Sequence, residues 1–274
     1  MMKLLKIESI KVLPYRVFQI LGILYVGSFL ISIIIIPNIK LEASMVDNQD
    51  ILNFKSLYIF PEIWKTWAYL AAKSNIFLAI ILLFLVGNEY SFNMFRQQVV
   101  NGLSRSELLN GKLLVIIGIA LANTIIIFIF GLIFGFIYSS GYSFSDVFSN
   151  LWMLGIYFIQ AVAHMLFALM LAVWLRNKTL AIVVLIIYQV ILEPIIRLVV
   201  KKYVWTKLGL FFPMRVITRL TPLPDLTLTE FFKTNSDFQD FTVSLPIWAN
   251  LLLAVGYGTI FYLISRQILR KRNL

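Results

Sequence analysis

The sequence predicts an all-α integral membrane protein, and three observations carry that prediction. The chain of 274 residues is 60% hydrophobic and only 14% charged, against about 25% charged in a soluble domain. Its mean hydropathy is +0.88, so it has too few charges to cover a water-facing surface. It also runs apolar six times for the ~20 residues that a helix needs to cross the hydrocarbon core of a bilayer.

The six runs are 18–36, 67–86, 114–138, 151–174, 179–200 and 247–264, within a single transmembrane domain that fills residues 1–274. The first is too long for the apolar core of a signal peptide and has no small-residue cleavage site after it, so it reads as a retained span. Ahead of it, Lys3, Lys6 and Lys11 alternate with Leu4, Leu5, Ile7, Ile10 and Val12. That stretch fits an N-terminal interfacial helix lying in the headgroup layer, or a plain basic tail. Two longer links remain, 37–65 and 201–246, both too short for an independent domain. Within the second, Leu208–Leu220 mixes Phe211, Phe212, Val216 and Ile217 with Arg215 and Arg219. It reads as a short amphipathic helix on the outer leaflet, followed by a Pro-, Thr- and Asp-rich loop.

An even number of spans puts both termini on one side, and charge says which. The segments on the side of the termini carry 13 Lys and Arg against 3 acidic residues, whereas the other side carries nine of each. Cytoplasmic links hold the excess of cations, so both ends are expected in the cytoplasm. This topology accounts for the net charge of +11 without nucleic acid, because the cations punctuate apolar runs and form no contiguous patch. There is no cysteine, hence no disulfide, thiol nucleophile or Cys-based metal site.

The link between the second and third runs, residues 87–112, is more ordered than a tether needs to be. Phe92, Phe95 and Val99 recur at helical spacing from Glu89 to Val100, with Asn93, Arg96 and Gln97 on the other side. Gly102 supplies a residue at home in a left-handed backbone, which ends a helix. Ser104 with Glu107 three residues on is a capping box that starts another, leading through Leu108 and Leu109 into the third run. The prediction is a helix, a sharp turn and a second helix continuous with a span. On physical grounds alone, such an element either relays force into the bilayer or simply anchors two spans.

The pattern of Glu89 and Tyr90 leaving a span, Arg96 soon after, Asn101-Gly102-Leu103-Ser104-Arg105, and Lys112 opening the next span resembles the permease subunits of ABC-2 type transporters. Where many of those permeases carry Gly-Thr, this chain has Asn93-Met94. The motif covers about a tenth of the chain; the six runs, the basic N-terminal tail and the amphipathic outer segment extend the likeness over nearly all of it. The resemblance implies that Glu89, Phe92, Phe95, Arg96, Gly102, Ser104, Arg105, Glu107 and Lys112 form a cytoplasmic coupling helix and its supports, docking on a separate ATPase. It further implies two ATPase copies, a second permease that is the same or a similar chain, and export as the direction. ATP and Mg2+ would sit on the ATPase, with no cofactor on this chain. The sequence has no G-x-x-x-x-G-K-[ST] phosphate loop, so a transport subunit and not an enzyme is expected.

Charged and polar residues inside apolar runs are candidate functional groups by default. Glu193 and Arg197 stand at i and i+4, the order that favours an ion pair, and serve either structure or translocation. Gln160 and His164 share one helical face. With a single His and no Cys, hydrogen bonding between helices is expected there, and no metal. Lys73 is expected to snorkel. Gly131 and Gly135 form a small-xxx-small pair that invites close helix contact. The six tryptophans, Trp64, Trp67, Trp152, Trp174, Trp205 and Trp248, fall near span ends and read as headgroup anchors. Two other function classes fit less well. An ion-gradient-driven secondary transporter would want acidic groups near the midplane, where only Glu193 qualifies. An intramembrane enzyme would need a convergent set of catalytic groups, which one His and one Glu in separate spans do not make.

Overall fold

The computed structural model describes residues 16–35, 57–139, 141–203, 205, 207–222, 224 and 245–271. The expected interfacial helix before residue 16 and most of the loop at 221–240 lie outside the described residues. Among the described residues nine helical segments appear in order: α1 (Arg16–Ile35), α2 (Ile63–Ser91), α3 (Met94–Val100), α4 (Arg105–Tyr138), α5 (Phe144–Phe148), α6 (Trp152–Leu175), α7 (Lys178–Tyr203), α8 (Pro213–Thr218) and α9 (Ile247–Lys271). A short 3-10 turn, Leu208–Phe211, precedes α8. Among the described residues there is no strand.

Five of these helices are long and apolar enough to cross a bilayer: α2, α4, α6 with the short α5 before it, α7 and α9. The chain is therefore an all-α, multi-pass membrane protein. α1 adds a shorter apolar stretch, Gln19–Ile31. An isolated sheet edge or open coil would leave backbone polar groups unpaired in hydrocarbon, whereas a helix pairs them internally.

α6 is the centre of the bundle. It packs along α2 on one side and α9 on the other, and touches α4 and α7 as well. Its face is built from small and medium residues, Ala161, Ala163, Ala168 and Ala172 among them, all buried. Such residues let helix axes come close where apolar lipid gives no hydrophobic push. α7 is peripheral and turns Val190, Ile191, Ile195, Leu198 and Val199 outward. It carries a π-turn at Tyr188–Leu192, directly before Pro194. Proline has no N–H to donate, and a wider turn is one way a helix takes up such a break.

Three sequence expectations change in the bundle. Trp64 and Trp67 are fully buried instead of anchoring at headgroups. Trp64 stacks on Phe128 and its Nε1 donates to the Val147 carbonyl at 2.6 Å, while Trp67 stacks on Phe29 and Phe130. The other four tryptophans are exposed. Gly131 and Gly135 make room for rings of the same chain. A Cβ on Gly131 would lie 2.6 Å from the Trp64 ring, and one on Gly135 would strike Phe60. Finally, the segment at 208–220, expected to rest on a leaflet, packs against other helices. Pro213 ends the 3-10 turn and starts α8, and Met214, Val216, Ile217 and Leu220 are buried against α6 and α9. Tyr257, which donates to the Phe211 carbonyl at 2.5 Å, lies ~15 Å along α9 from its start. The segment thus folds back into the bundle, the setting in which irregular backbone is tolerated at depth.

Candidate functional site

The ordered link after α2 is built entirely from local backbone chemistry. α2 ends when Phe92 N–H bonds the Asn88 carbonyl at 2.9 Å and Asn93 N–H bonds Tyr90 at 3.1 Å. Asn93 then takes a left-handed backbone, φ 54°, which asparagine tolerates better than most side chains. The single helix expected from Glu89 to Val100 is therefore two helices with a bend at Asn93. The periodicity of Phe92, Phe95 and Val99 runs through the bend, so it does not reveal it.

α3 ends in a Schellman motif. Leu103 N–H reaches the Gln98 carbonyl at 3.1 Å and Gly102 N–H reaches Val99 at 3.0 Å, with Gly102 at φ 93°. Ser104 then opens α4 with the expected capping box: Glu107 N–H donates to Ser104 Oγ at 3.2 Å, and Ser104 N–H donates to Glu107 Oε2 at 2.8 Å. α4 continues without interruption to Tyr138.

Glu89 and Lys112 close this element from beneath. Lys112 Nζ donates to Glu89 Oε1 at 2.6 Å, with the residues only 4% and 3% exposed. Phe95 is buried beside them, stacked on Tyr90 with ring centroids 4.4 Å apart and with Lys112 Nζ 5.9 Å from its centre. The pair joins the end of α2 to the start of α4 across the bend. A second tie runs to α7, where Lys178 Nζ donates to Asn88 Oδ1 at 2.8 Å; Gly87 permits this approach, since a Cβ there would lie 2.5 Å from the Lys178 Cβ.

The other candidates separate by the way they face. Arg96 is exposed, and so are Phe92, which ends α2 before the bend, and Val100, one turn further along α3, at 64% and 78%. Arg105 turns away from them: its guanidinium donates to the carbonyls of Leu269 and Arg270, each at 2.9 Å. It thereby satisfies acceptors at the end of α9, which a helix leaves open.

The intramembrane candidates do not converge on one point. Glu193 is buried, and its carboxylate accepts from the backbone N–H of Met214 at 3.0 Å and of Arg215 at 2.6 Å. These donors at the start of α8 hold the carboxylate that the i, i+4 spacing assigned to Arg197, whose stem packs instead where a Cβ on Gly209 would fall. Gln160 accepts from Thr221 Oγ1 at 3.0 Å, so its partner is the re-entrant segment and not another span. His164, one turn along, is buried. Among the described residues no group of three or more His, Cys, Asp or Glu could hold a metal.

One cluster escaped the sequence altogether. Asn123 Nδ2 donates to Tyr25 at 2.7 Å and also to the Tyr157 hydroxyl. Tyr157 donates in turn to Asn75 Oδ1 at 2.9 Å. All four residues are buried, and they come from α1, α2, α4 and α6. Each sits within a mostly apolar run, and only the packing distinguishes an inward asparagine from a lipid-facing one. A rule that treats every intramembrane amide as a helix-pairing candidate would have flagged Asn75 and Asn123.

No protein-family model matches the sequence, and no curated protein matches it either. Functional inference therefore rests on the geometry of the 87–112 element and the bundle above it.

Proposed function

We propose that the chain is the permease subunit of an ABC-2 type ATP-driven transporter, working in export. Two copies of it, or one with a similar chain, would line the path, and two separate ATPase subunits would bind ATP and Mg2+. The observation that carries this reading is a rigid bend with an unsatisfied outer face. A Schellman turn, a capping box and a buried ion pair fix 92–104 to the ends of α2 and α4, yet Phe92 at the bend and Val100, one turn from the exposed Arg96, are left uncovered. A merely anchoring loop has no use for exposed apolar side chains in a fixed bend that also presents a cation, whereas a docking face for another protein does. Asn93 in the left-handed region also answers the departure from the resembled permeases, since glycine, which they carry there, takes that conformation most cheaply.

On this reading 92–104 lies at the cytoplasmic surface, α1 is the sixth span and both termini are cytoplasmic, in line with the excess of basic residues on that side. Closure of the ATPase pair on nucleotide would push the α3 face, and α2 and α4 would carry the displacement into the bilayer.

The test is whether an ABC ATPase is encoded beside this gene and copurifies with the chain, followed by ATP hydrolysis of the pair in proteoliposomes. Phe92→Ser combined with Val100→Ser, and Arg96→Glu separately, are expected to lower both copurification and stimulated hydrolysis at least tenfold, the scale of losing ~1.4 kcal/mol or more at an interface. Membrane insertion would be unchanged. Transport that continues without ATP and stops when an ion gradient is collapsed would replace this reading with a secondary transporter.

A further inference from the structure

A second feature lies on the other face of the bundle. A cavity of about 530 Å³ opens between α4, α6 and α9, lined by Ile117, Val162, Ala163, Val255, Gly258 and Tyr262 among others. Its floor is the place where α6 and α9 cross closely, for a Cβ on Gly258 would already lie 3.3 Å from Leu166.

The polar groups in its wall are engaged within the protein. Thr259 Oγ1 donates to the Val255 carbonyl at 2.8 Å, and the Tyr262 hydroxyl donates to Asn110 Oδ1 at 2.5 Å. A sugar, peptide or nucleotide would find no free donor and only two hydroxyl oxygens to accept from it, and would lose most of its own hydration. The occupant must be apolar.

Shape then narrows the class. From Ala254 to Tyr262 the groove follows α9 for ~12 Å, close to the ~15 Å depth of hydrocarbon in one leaflet. A slot of that length and an apolar lining suit an extended hydrocarbon chain. All three walls are helices apolar and long enough to cross a membrane, so lipid is the surrounding solvent. The groove ends at Tyr262 on the side of the 101–104 turn, and one helical turn beyond, on the same face of α9, stands Arg266, a cation at the depth of a headgroup.

We propose that this groove binds one acyl chain of a phospholipid whose anionic headgroup rests at the Tyr262 end, beside Arg266.

The full chain in nanodiscs, with a small fraction of phosphatidylglycerol bearing a diazirine midway along one acyl chain, provides the probe. After illumination, labelled peptides are expected to concentrate on residues 158–166 and 254–262 over the lipid-facing 180–192. Val255→Phe and Thr259→Phe extend side chains into the groove from positions on its rim, so the fold is kept. Each is expected to reduce groove labelling about tenfold, as if two methylenes were displaced, while Leu180→Phe leaves it unchanged. Labelling spread evenly over all outward faces, or insensitive to both filling variants, would overturn the proposal. So would groove peptides protected while the rest of the lipid face is labelled, because another protein surface would then cover them. Diazirine-phosphatidylcholine should label the groove less than phosphatidylglycerol, and Arg266→Gln should abolish the difference; equal labelling in the native chain would refute the anionic headgroup.

Discussion

Removing one charge from a dry pair is the harshest change a residue-scale substitution can make in this molecule. Glu89 and Lys112 are bonded at 2.6 Å out of contact with water. Lys112→Met should take the bonded cation from a buried carboxylate and destabilise the fold by ~3 kcal/mol, whereas Glu89→Gln with Lys112→Met should recover much of that loss. Thermal unfolding in detergent is the measurement: the single change lowers Tm well below the double. The Tyr25–Asn75–Asn123–Tyr157 cluster should behave more mildly. Tyr157→Phe removes the hydroxyl at its centre, and hydrogen bonds between membrane helices average ~0.6 kcal/mol each, so a loss of ~1–2 kcal/mol is expected. A drop as large as that of Lys112→Met would mean the cluster does more than join four helices. The chemistry at this scale was partly legible. Glu89 and Lys112 drew notice as charges at span ends, but a separation of 23 positions along the chain hid that they touch. The four-residue cluster was invisible, because its members share no spacing.

At the scale of elements, local rules read well and orientation read poorly. The capping box at Ser104 and the stop at Gly102 appear where the sequence placed them, since both depend only on residues within a turn of each other. Ser104→Ala should cost ~1 kcal/mol and show as faster amide exchange at 105–108, with the rest of α4 unchanged. Asn93→Gly should be neutral, whereas Asn93→Val, forcing a β-branched side chain into a left-handed backbone, should destabilise the bend by ~1–2 kcal/mol. Equal effects of the two would argue that the bend is not fixed at that residue. Five of the six span positions were also legible, because about twenty apolar residues in a row admit few other readings. Which way each element faces depends on its neighbours. Gly131 and Gly135 were recognised as close-contact residues, yet a Trp and a Phe of the same chain fill the space before them. The segment at 208–220 looked amphipathic, yet a folded chain offers Glu193, Gln160 and Tyr257 as partners for its polar groups, and it sinks inward.

For the whole molecule, the proposed orientation makes a prediction that the absence of cysteine renders simple to check. Asn101→Cys and Tyr142→Cys lie in exposed links at opposite ends of α4. In intact cells an impermeant maleimide should label the second and spare the first until the membrane is opened. The reverse pattern would turn the molecule over and remove the proposed docking face from reach of any nucleotide-hydrolysing partner.

Arg105 also decides how the bundle would share a load. Its guanidinium clasps the tail of α9 from the first turn of α4, so a shove delivered at 92–104 falls on two rods at once, one rising directly from the bend and the other hooked to it from the far end of the chain. Those rods flank the apolar groove, with Leu113 and Ile117 on one bank and Val255 to Tyr262 on the other. Pulling on the hook would pinch or spread that slot, and a fatty chain lodged in it would resist the movement as a wedge resists a closing vice.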